Sequence, residues 1–160
     1  MRVAIISDSH DNLTQLEKAV TWCNAHDIDH LLHAGDLVAP FVHRALKKLG
    51  MPYTIIFGNN DGERSGLANT FKDRIFSPPH HMQLDGKKVV MLHEPDSLQD
   101  MADSGEYDLI VYGHTHTIDI RTQKKPLIIN PGEVGGWLSG QSTLVVWSTE
   151  NDNVQLIELE

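Results

Sequence analysis

Cysteine, positive charge and long apolar runs are all scarce in this sequence. Cys23 is the only cysteine among 160 residues, which excludes an internal disulfide and favours a reducing compartment. The apolar runs are far shorter than the roughly 20 residues that a membrane-spanning helix needs. Met1-Arg2, four apolar residues and then Asp8 are not typical of a secretory signal. We therefore predict a cytoplasmic protein that does not enter the membrane.

The scarcity of positive charge restricts the partners. The chain carries 13 Lys and Arg residues against 22 Asp and Glu residues, for a formal net charge of −9. Proteins that bind extended nucleic acids need a basic surface, so we predict no such partner. A local site for a small anion remains compatible with this charge if bound metal supplies the positive charge.

Composition and pattern predict an α/β protein. A chain of 160 residues, 40% of them hydrophobic and 22% charged, is typical of one globular domain, here residues 1–160. The first half alternates strands with helices, whereas the last third has strands separated by turns. This order predicts two packed sheets with helices outside. The oligomeric state stays open, with a homo-oligomer among the alternatives.

The predicted elements follow from short apolar runs and helical spacing. A first helix is expected after Asn12, its N-cap, and places Cys23 on the buried face as an inert thiol. A second helix is predicted over 40–49 with Phe41 on its buried face, and a short third helix after Ser97. Residues 63–81 show no clear pattern, and His80 and His81 are placed in a loop. The predicted strands are 3–6, 31–34, 53–57, 89–92, 109–112, 127–129, 144–147 and 154–159.

Polar side chains with metal-binding chemistry follow five of these strands. Asp8 and His10 come after the first, and in an extended backbone residues two apart share a face. Ligands of open α/β sheets bind at the carboxyl ends of the strands. Gly35, Gly58 and Gly113 each precede such a residue, where glycine permits close approach of the backbone. The predicted metal ligands are Asp8, His10, Asp36, Asn59, His93, His114 and His116.

Seven ligands indicate two metal ions rather than one. A single zinc-type centre takes about four ligands, whereas two ions about 3.5–4 Å apart can share a bridging carboxylate. Asp36 is the natural bridge. Together with two carboxylates and a bridging hydroxide, two divalent ions leave one net positive charge, which suits a phosphodiester anion.

The same residues resemble the five blocks of the calcineurin-like metallophosphoesterase superfamily, in the family's order. With Asn130-Pro131-Gly132-Glu133 the similarity covers nearly the whole chain. It is greatest to the small single-domain phosphodiesterases of bacteria and archaea. The blocks are Asp8-x-His10, Gly35-Asp36, Gly58-Asn59-x-Asp61, His93 and Gly113-His114-x-His116.

This resemblance implies a four-layer α/β/β/α sandwich of two mixed sheets and two metal ions. Asp8, His10, Asp36 and His116 would hold the first ion. Asp36, Asn59, His93 and His114 would hold the second. The expected metal is Mn²⁺, with Ni²⁺, Fe²⁺ or Zn²⁺ as alternatives.

The activity expected from this resemblance is hydrolysis of a small phosphodiester by a metal-bridging hydroxide. Two alternatives stay open: a phosphomonoesterase, and a non-catalytic metal-binding scaffold of the same fold that binds proteins.

Two positions depart from the family pattern. Larger members usually have His after the metal-binding Asn, as a general acid. Asn60 stands there instead and can only hydrogen-bond phosphoryl oxygens. Gly commonly follows the fourth-block His, but here Glu94 would crowd the anion site. We predict Asn60 and Asp61 as catalytic residues, and Asn60, Glu94 and Arg64 as substrate-binding residues.

Overall fold

The structure, a computed structural model, describes residues 1–160. Its strands form two sheets. The first sheet contains β1 (Arg2–Ile6), β2 (His30–His33), β3 (Tyr53–Ile56), β4 (Ile75–Phe76), β10 (Thr143–Ser148) and β11 (Val154–Glu158). The second contains β5 (His80–Leu84), β6 (Lys87–Met91), β7 (Leu109–Val111), β8 (Ile118–Arg121) and β9 (Leu127–Pro131).

Both sheets are mixed. The strand order in the first is β11-β10-β1-β2-β3-β4, in which β1 to β4 run parallel, β10 runs antiparallel to β1, and β11 runs antiparallel to β10. The order in the second is β5-β6-β7-β9-β8, with a parallel centre formed by β6, β7 and β9. The parallel strands of each sheet therefore end at one edge, which is where the polar residues lie.

Four helices cover the outer faces of the sheets. They are α1 (Leu13–Ala25), α2 (His43–Leu46), α3 (Arg64–Phe71) and α4 (Leu98–Ser104). The first three pack on the first sheet, and α4 packs through Leu98 on the second sheet. On α1, the buried side chains recur at helical spacing, and the Asn12 side chain accepts a hydrogen bond from the Gln15 N–H, as the sequence predicts.

Alternation along β1 shows how the layers are built. Val3 and Ile5 belong to the core between the two sheets, whereas Ala4 and Ile6 belong to the core beneath the helices. Since both faces of the strand are covered, all four side chains are buried and the strand is apolar throughout. The result is the four-layer α/β/β/α sandwich that the sequence predicts.

Several predicted elements need correction. The second helix is shorter than 40–49, because a single 3₁₀ turn at Pro40–Val42 leads into only four α-helical residues, and the chain after Leu46 tightens into turns with i to i+3 hydrogen bonds. Phe41 is 46% exposed rather than buried. His80 and His81 lie in β5, not in a loop, and there His80 stacks on Phe76 and His81 hydrogen-bonds Tyr107.

Candidate metal centre

The seven predicted ligands converge where the two sheets meet. Asp8 and His10 follow β1, Asp36 follows β2 and Asn59 follows β3, all from the first sheet. His93 follows β6, and His114 and His116 follow β7, all from the second sheet. The packing of the sheets therefore brings together residues that lie more than 100 positions apart in the chain.

Two groups of ligand atoms share the carboxylates. In the first, Asp8 Oδ1 lies 3.7 Å from His10 Nε2 and 3.6 Å from His116 Nε2. His10 Nε2 also lies 3.4 Å from Asp36 Oδ2, and the same oxygen lies 3.4 Å from His93 Nε2. The second group contains Asp36 Oδ2, His93 Nε2, Asn59 Oδ1 and His114 Nδ1. In it, Asn59 Oδ1 lies 2.9 Å from both His93 Nε2 and His114 Nδ1. Asp36 thus stands between the groups.

The donor set fits divalent metal. Asp8 Oδ1 and His10 Nε2 are buried and have no hydrogen-bond partner. Buried polar atoms without partners are costly and rare, and here both point toward other ligand atoms. Imidazole nitrogens with carboxylate and amide oxygens suit Mn²⁺, Fe²⁺, Ni²⁺ or Zn²⁺.

The backbone of the centre is unusual. Asp8, His10, Asp36, His114 and His116 all have positive φ, between 39° and 67°. Non-glycine residues rarely adopt this conformation, at a cost of about 1–3 kcal/mol each. Asp8 and His10 therefore do not share a face of an extended strand, contrary to the prediction. Instead, β1 ends at Ile6, and two left-handed residues turn the side chains toward the site.

Glycine permits close packing at the positions that the sequence singles out. A Cβ on Gly58 would overlap Asp36 Oδ1, one on Gly113 would overlap Ser7 Oγ, and one on Gly35 would overlap His93 Nδ1. The predicted close approach at these three glycines is confirmed.

The comparisons with known proteins agree with this geometry. Residues 1–152 match the calcineurin-like phosphoesterase superfamily domain. The chain belongs to the calcineurin-like phosphoesterase superfamily. A phosphodiesterase of Methanocaldococcus jannaschii is 35% identical over the full length of both chains.

Solved structures show the same fold. That of an archaeal phosphodiesterase is 33% identical, with a TM-score of 0.92, and the alignment covers 99% of this chain and 100% of the other. Vps29 of Chaetomium thermophilum has a TM-score of 0.69 at 16% identity, over 99% and 95% of the two chains, which shows the fold alone. The predictions of this family, of its fold and of a metal-dependent phosphoesterase are confirmed. None of the helices is long and apolar enough to cross a membrane.

Asn60 contacts the central carboxylate of this phosphoesterase twice. Its backbone N–H and its side-chain Nδ2 each donate to Asp36, at 2.8 Å. Burial opposes ionisation of Asp36, but hydrogen bonds from His93 and Asn60 outweigh it and hold the pKa of this carboxyl well below its usual range. Asp36 is therefore a carboxylate, which is the form that binds metal.

Asp61 connects the loops after β2 and β3. Its carboxylate is buried and accepts the backbone N–H groups of Gly58 at 2.6 Å, Val38 at 2.7 Å and Asp36 at 3.2 Å. These contacts fix the backbone at both Asp36 and Gly58. They give Asp61 a positioning role, and its direct participation in catalysis stays a prediction.

Arg64 and Glu94 lie at the surface near the centre. Arg64 Nη2 donates to the Gly58 carbonyl at 3.1 Å, and its guanidinium lies over the Phe57 ring. Glu94 is exposed and makes no hydrogen bond through its side chain. Their roles in substrate binding stay predictions.

Glu133 is a residue whose importance the sequence argument missed. Its buried carboxylate accepts His116 Nδ1 at 2.9 Å and the backbone N–H groups of Trp137, Leu138 and Ser139. These hydrogen bonds outweigh burial and lower the pKa of Glu133. A carboxylate behind a histidine ligand fixes the tautomer and orientation of the ring. The Asn130-Pro131-Gly132-Glu133 motif was the available signal.

A chain of buried hydrogen bonds through His33 and Ser9 connects Gly35 with the backbone of Asp36. The Gly35 N–H donates to His33 Nδ1, so the proton of this buried ring must lie on Nε2, which donates to Ser9 Oγ. The Ser9 hydroxyl in turn donates to the Asp36 carbonyl. Burial lowers the pKa of His33 to about 4, which keeps this ring neutral.

Proposed function

We propose that this chain is a phosphodiesterase that acts with two divalent metal ions on a small phosphate diester. The observation that supports the proposal most strongly is the convergence of seven ligand side chains around two unpartnered buried atoms, Asp8 Oδ1 and His10 Nε2. The likeness to an archaeal phosphodiesterase, in sequence and in structure, supports the diester over the monoester.

The proposed ligand sets share Asp36. Asp8, His10, Asp36 and His116 hold one ion, and Asp36, Asn59, His93 and His114 hold the other. When bound, such ions supply a polarised water for attack on phosphorus and neutralise the charge of the phosphoryl oxygens. We expect Mn²⁺ to support the highest activity.

The protein's own groups prepare this reaction. Glu133 orients His116, and Asp61 fixes the loops that carry Asp36 and Asn59. Asn60 holds the Asp36 carboxylate in place through two hydrogen bonds. In addition, Arg64 is a cation near the centre that can attract a phosphate ester, whereas the Glu94 carboxylate disfavours a dianion relative to a monoanion.

Asn60 cannot supply a proton to the leaving group. An amide cannot act as a general acid at neutral pH, so we expect the enzyme to favour esters whose leaving groups are weakly basic. Asn60→His should improve turnover of alkyl esters more than that of nitrophenyl esters, because general acids contribute about 10²–10⁴-fold where they are needed. A series of diesters with graded leaving-group basicity, measured on both proteins, checks this. Parallel slopes in the two proteins would contradict it.

The proposed function itself is tested with purified protein from which metal has been removed. We expect bis(4-nitrophenyl) phosphate to be hydrolysed faster than 4-nitrophenyl phosphate after addition of Mn²⁺, with two ions bound per chain. The matched control for a variant that loses a ligand histidine, such as His116→Ala, is His81→Ala, which removes an exposed imidazole outside the centre. Metal binding without hydrolysis of any ester would instead support the non-catalytic scaffold.

A further inference from the structure

Two consecutive apolar side chains are exposed beside the metal centre. Trp137 is 62% exposed and Leu138 is 76% exposed, more than any other large hydrophobic residue of the chain. They lie in the loop between β9 and β10, and we call them the apolar ledge. Tryptophan is usually largely buried in proteins, so an exposed indole next to a leucine requires an explanation.

The apolar ledge is held firmly by the centre. The backbone N–H groups of Trp137 and Leu138 both donate to the Glu133 carboxylate, at 3.0 and 2.8 Å. That carboxylate also receives the hydrogen bond from His116. The indole Nε1–H donates to the backbone carbonyl of His10 at 3.1 Å.

Two further hydrogen bonds attach the start of the loop to the same region. The Gly135 N–H donates to the Asp8 carbonyl at 3.1 Å. The Asn12 side chain donates to the Gly135 carbonyl at 2.7 Å. The exposed apolar surface is therefore a fixed part of the site, adjacent to Asp8, His10 and His116.

We propose that the apolar ledge binds the organic group of the phosphate ester and selects esters with a planar aromatic group, such as an aryl or nucleobase group. An anion bound at the centre must direct its ester group outward, and the exposed indole is held beside the centre by its hydrogen bond to the His10 carbonyl. Planar rings stack on exposed aromatic side chains irrespective of their substituents. This inference rests on the proposed function, because it assumes that the centre binds a phosphate ester.

Two phosphonates test the apolar ledge without turnover. Phenylphosphonate and methylphosphonate carry the same anionic group and differ only in the organic group. We expect Mn²⁺-loaded protein to bind phenylphosphonate about tenfold more tightly, from the usual strength of stacking on an aromatic side chain. Titration calorimetry gives both dissociation constants.

Three variants separate stacking from support of the site. Trp137→Ala should reduce the ratio of the two dissociation constants to near one. Trp137→Phe keeps a planar ring without the donor to His10 and should keep most of the preference. Trp22→Ala, which removes the α1 tryptophan that stacks on His26, should not change the ratio. Manganese content is measured for each variant.

The outcomes are distinct. Two results would contradict the proposed role of the apolar ledge. One is equal binding of the two phosphonates to the parent. The other is the same loss of preference for phenylphosphonate in Trp137→Phe as in Trp137→Ala. If the phosphonates bind equally and diesters are still hydrolysed, the proposed role of the apolar ledge is wrong but the proposed function stands. If neither phosphonate binds and no diester is hydrolysed, both fail.

Discussion

Asp36 lies between the two groups of ligand atoms. Its Oδ2 lies 3.4 Å from His10 Nε2 and 3.4 Å from His93 Nε2, one from each group. We expect Asp36→Ala to release both metal ions and to abolish hydrolysis. Metal analysis of the purified variant, together with the diester assay, checks this expectation.

His116→Ala is the matched variant for Asp36→Ala. His116 contacts Asp8 but belongs only to the first group. Its removal should therefore weaken the binding of one ion and leave the other ion bound. Two tightly bound ions per chain in Asp36→Ala would show that Asp36 is not the bridge.

Glu133 acts through His116 and through the loop after it. In Glu133→Gln, the amide NH₂ group replaces either the oxygen that accepts from His116 and Trp137 or the oxygen that accepts from Leu138 and Ser139. Two contacts are lost in either orientation. Loss of the partner of a histidine ligand typically costs 10–100-fold in metal affinity, and we expect a loss of about this size for one ion.

Calorimetric titration with Mn²⁺ measures the effect of Glu133→Gln, and Glu106→Gln, at an exposed glutamate, is the control. Circular dichroism of the metal-free variant should match that of the parent. Unchanged affinity for both ions would show that Glu133 only shapes the loop.

The residues that converge at the centre could be predicted from the sequence, but their conformations could not. Asp8, His10 and Asp36 follow apolar strands, and that position is visible in the sequence. Asp and His adopt positive φ more often than most non-glycine residues, but which of them do so depends on the surrounding loops and is not visible in a single sequence. Glu133 was missed because its partner His116 becomes a neighbour only after β7 and β9 have paired.

At the scale of elements, the prediction succeeded where one face is strongly apolar. The spacing of Leu16, Ala19, Val20 and Cys23 on α1 is such a case. Both α3 and β8 escaped prediction for the opposite reason. α3 has eight residues and buries only Leu67 and Phe71, and β8 is an edge strand with no fully buried residue. Short elements at an edge carry too little periodicity to be recognised.

The reactivity of the Cys23 thiol tests whether the buried face of α1 stays packed on the first sheet. The thiol is fully buried, and burial raises its pKa to about 12. Since only the thiolate reacts readily, we expect 5,5′-dithiobis(2-nitrobenzoate) to modify no thiol in native protein and one thiol per chain in denaturant. Rapid modification of the native protein would show that α1 separates from the first sheet.

At the scale of the whole molecule, the centre depends on how the two sheets meet. The inter-sheet core contains Val3, Ile5 and Leu32 from the first sheet and Met91 and Val111 from the second. These residues lie in the strands that lead into the loops that carry the ligands. We expect a core of this extent to fold without metal, with the ligands positioned by apolar packing rather than by ions.

Acid should destabilise the whole fold through His33. This ring is fully buried, and burial lowers its pKa to about 4, against an ordinary value of 6.5. Between these values the unfolded chain binds a proton that the folded chain does not bind. The stabilisation is therefore complete above about pH 6.5 and is lost as the pH falls toward 4, by about 3 kcal/mol in total.

Urea unfolding at pH 7.5 and pH 4.5, with a chelator present, measures this loss for the parent and for His33→Gln. The pKa values of His10 and His93 are raised by Asp8 and Asp36 despite burial, so these two rings favour the folded state at low pH. Because both proteins retain them, the difference between the two pH slopes isolates His33. We expect the parent to lose more free energy of unfolding than His33→Gln by about 2.5 kcal/mol, because at pH 4.5 the loss is not yet complete. Equal slopes would mean that His33 is protonated in the folded protein and that the hydrogen bonds from Gly35 and to Ser9 do not hold its neutral form.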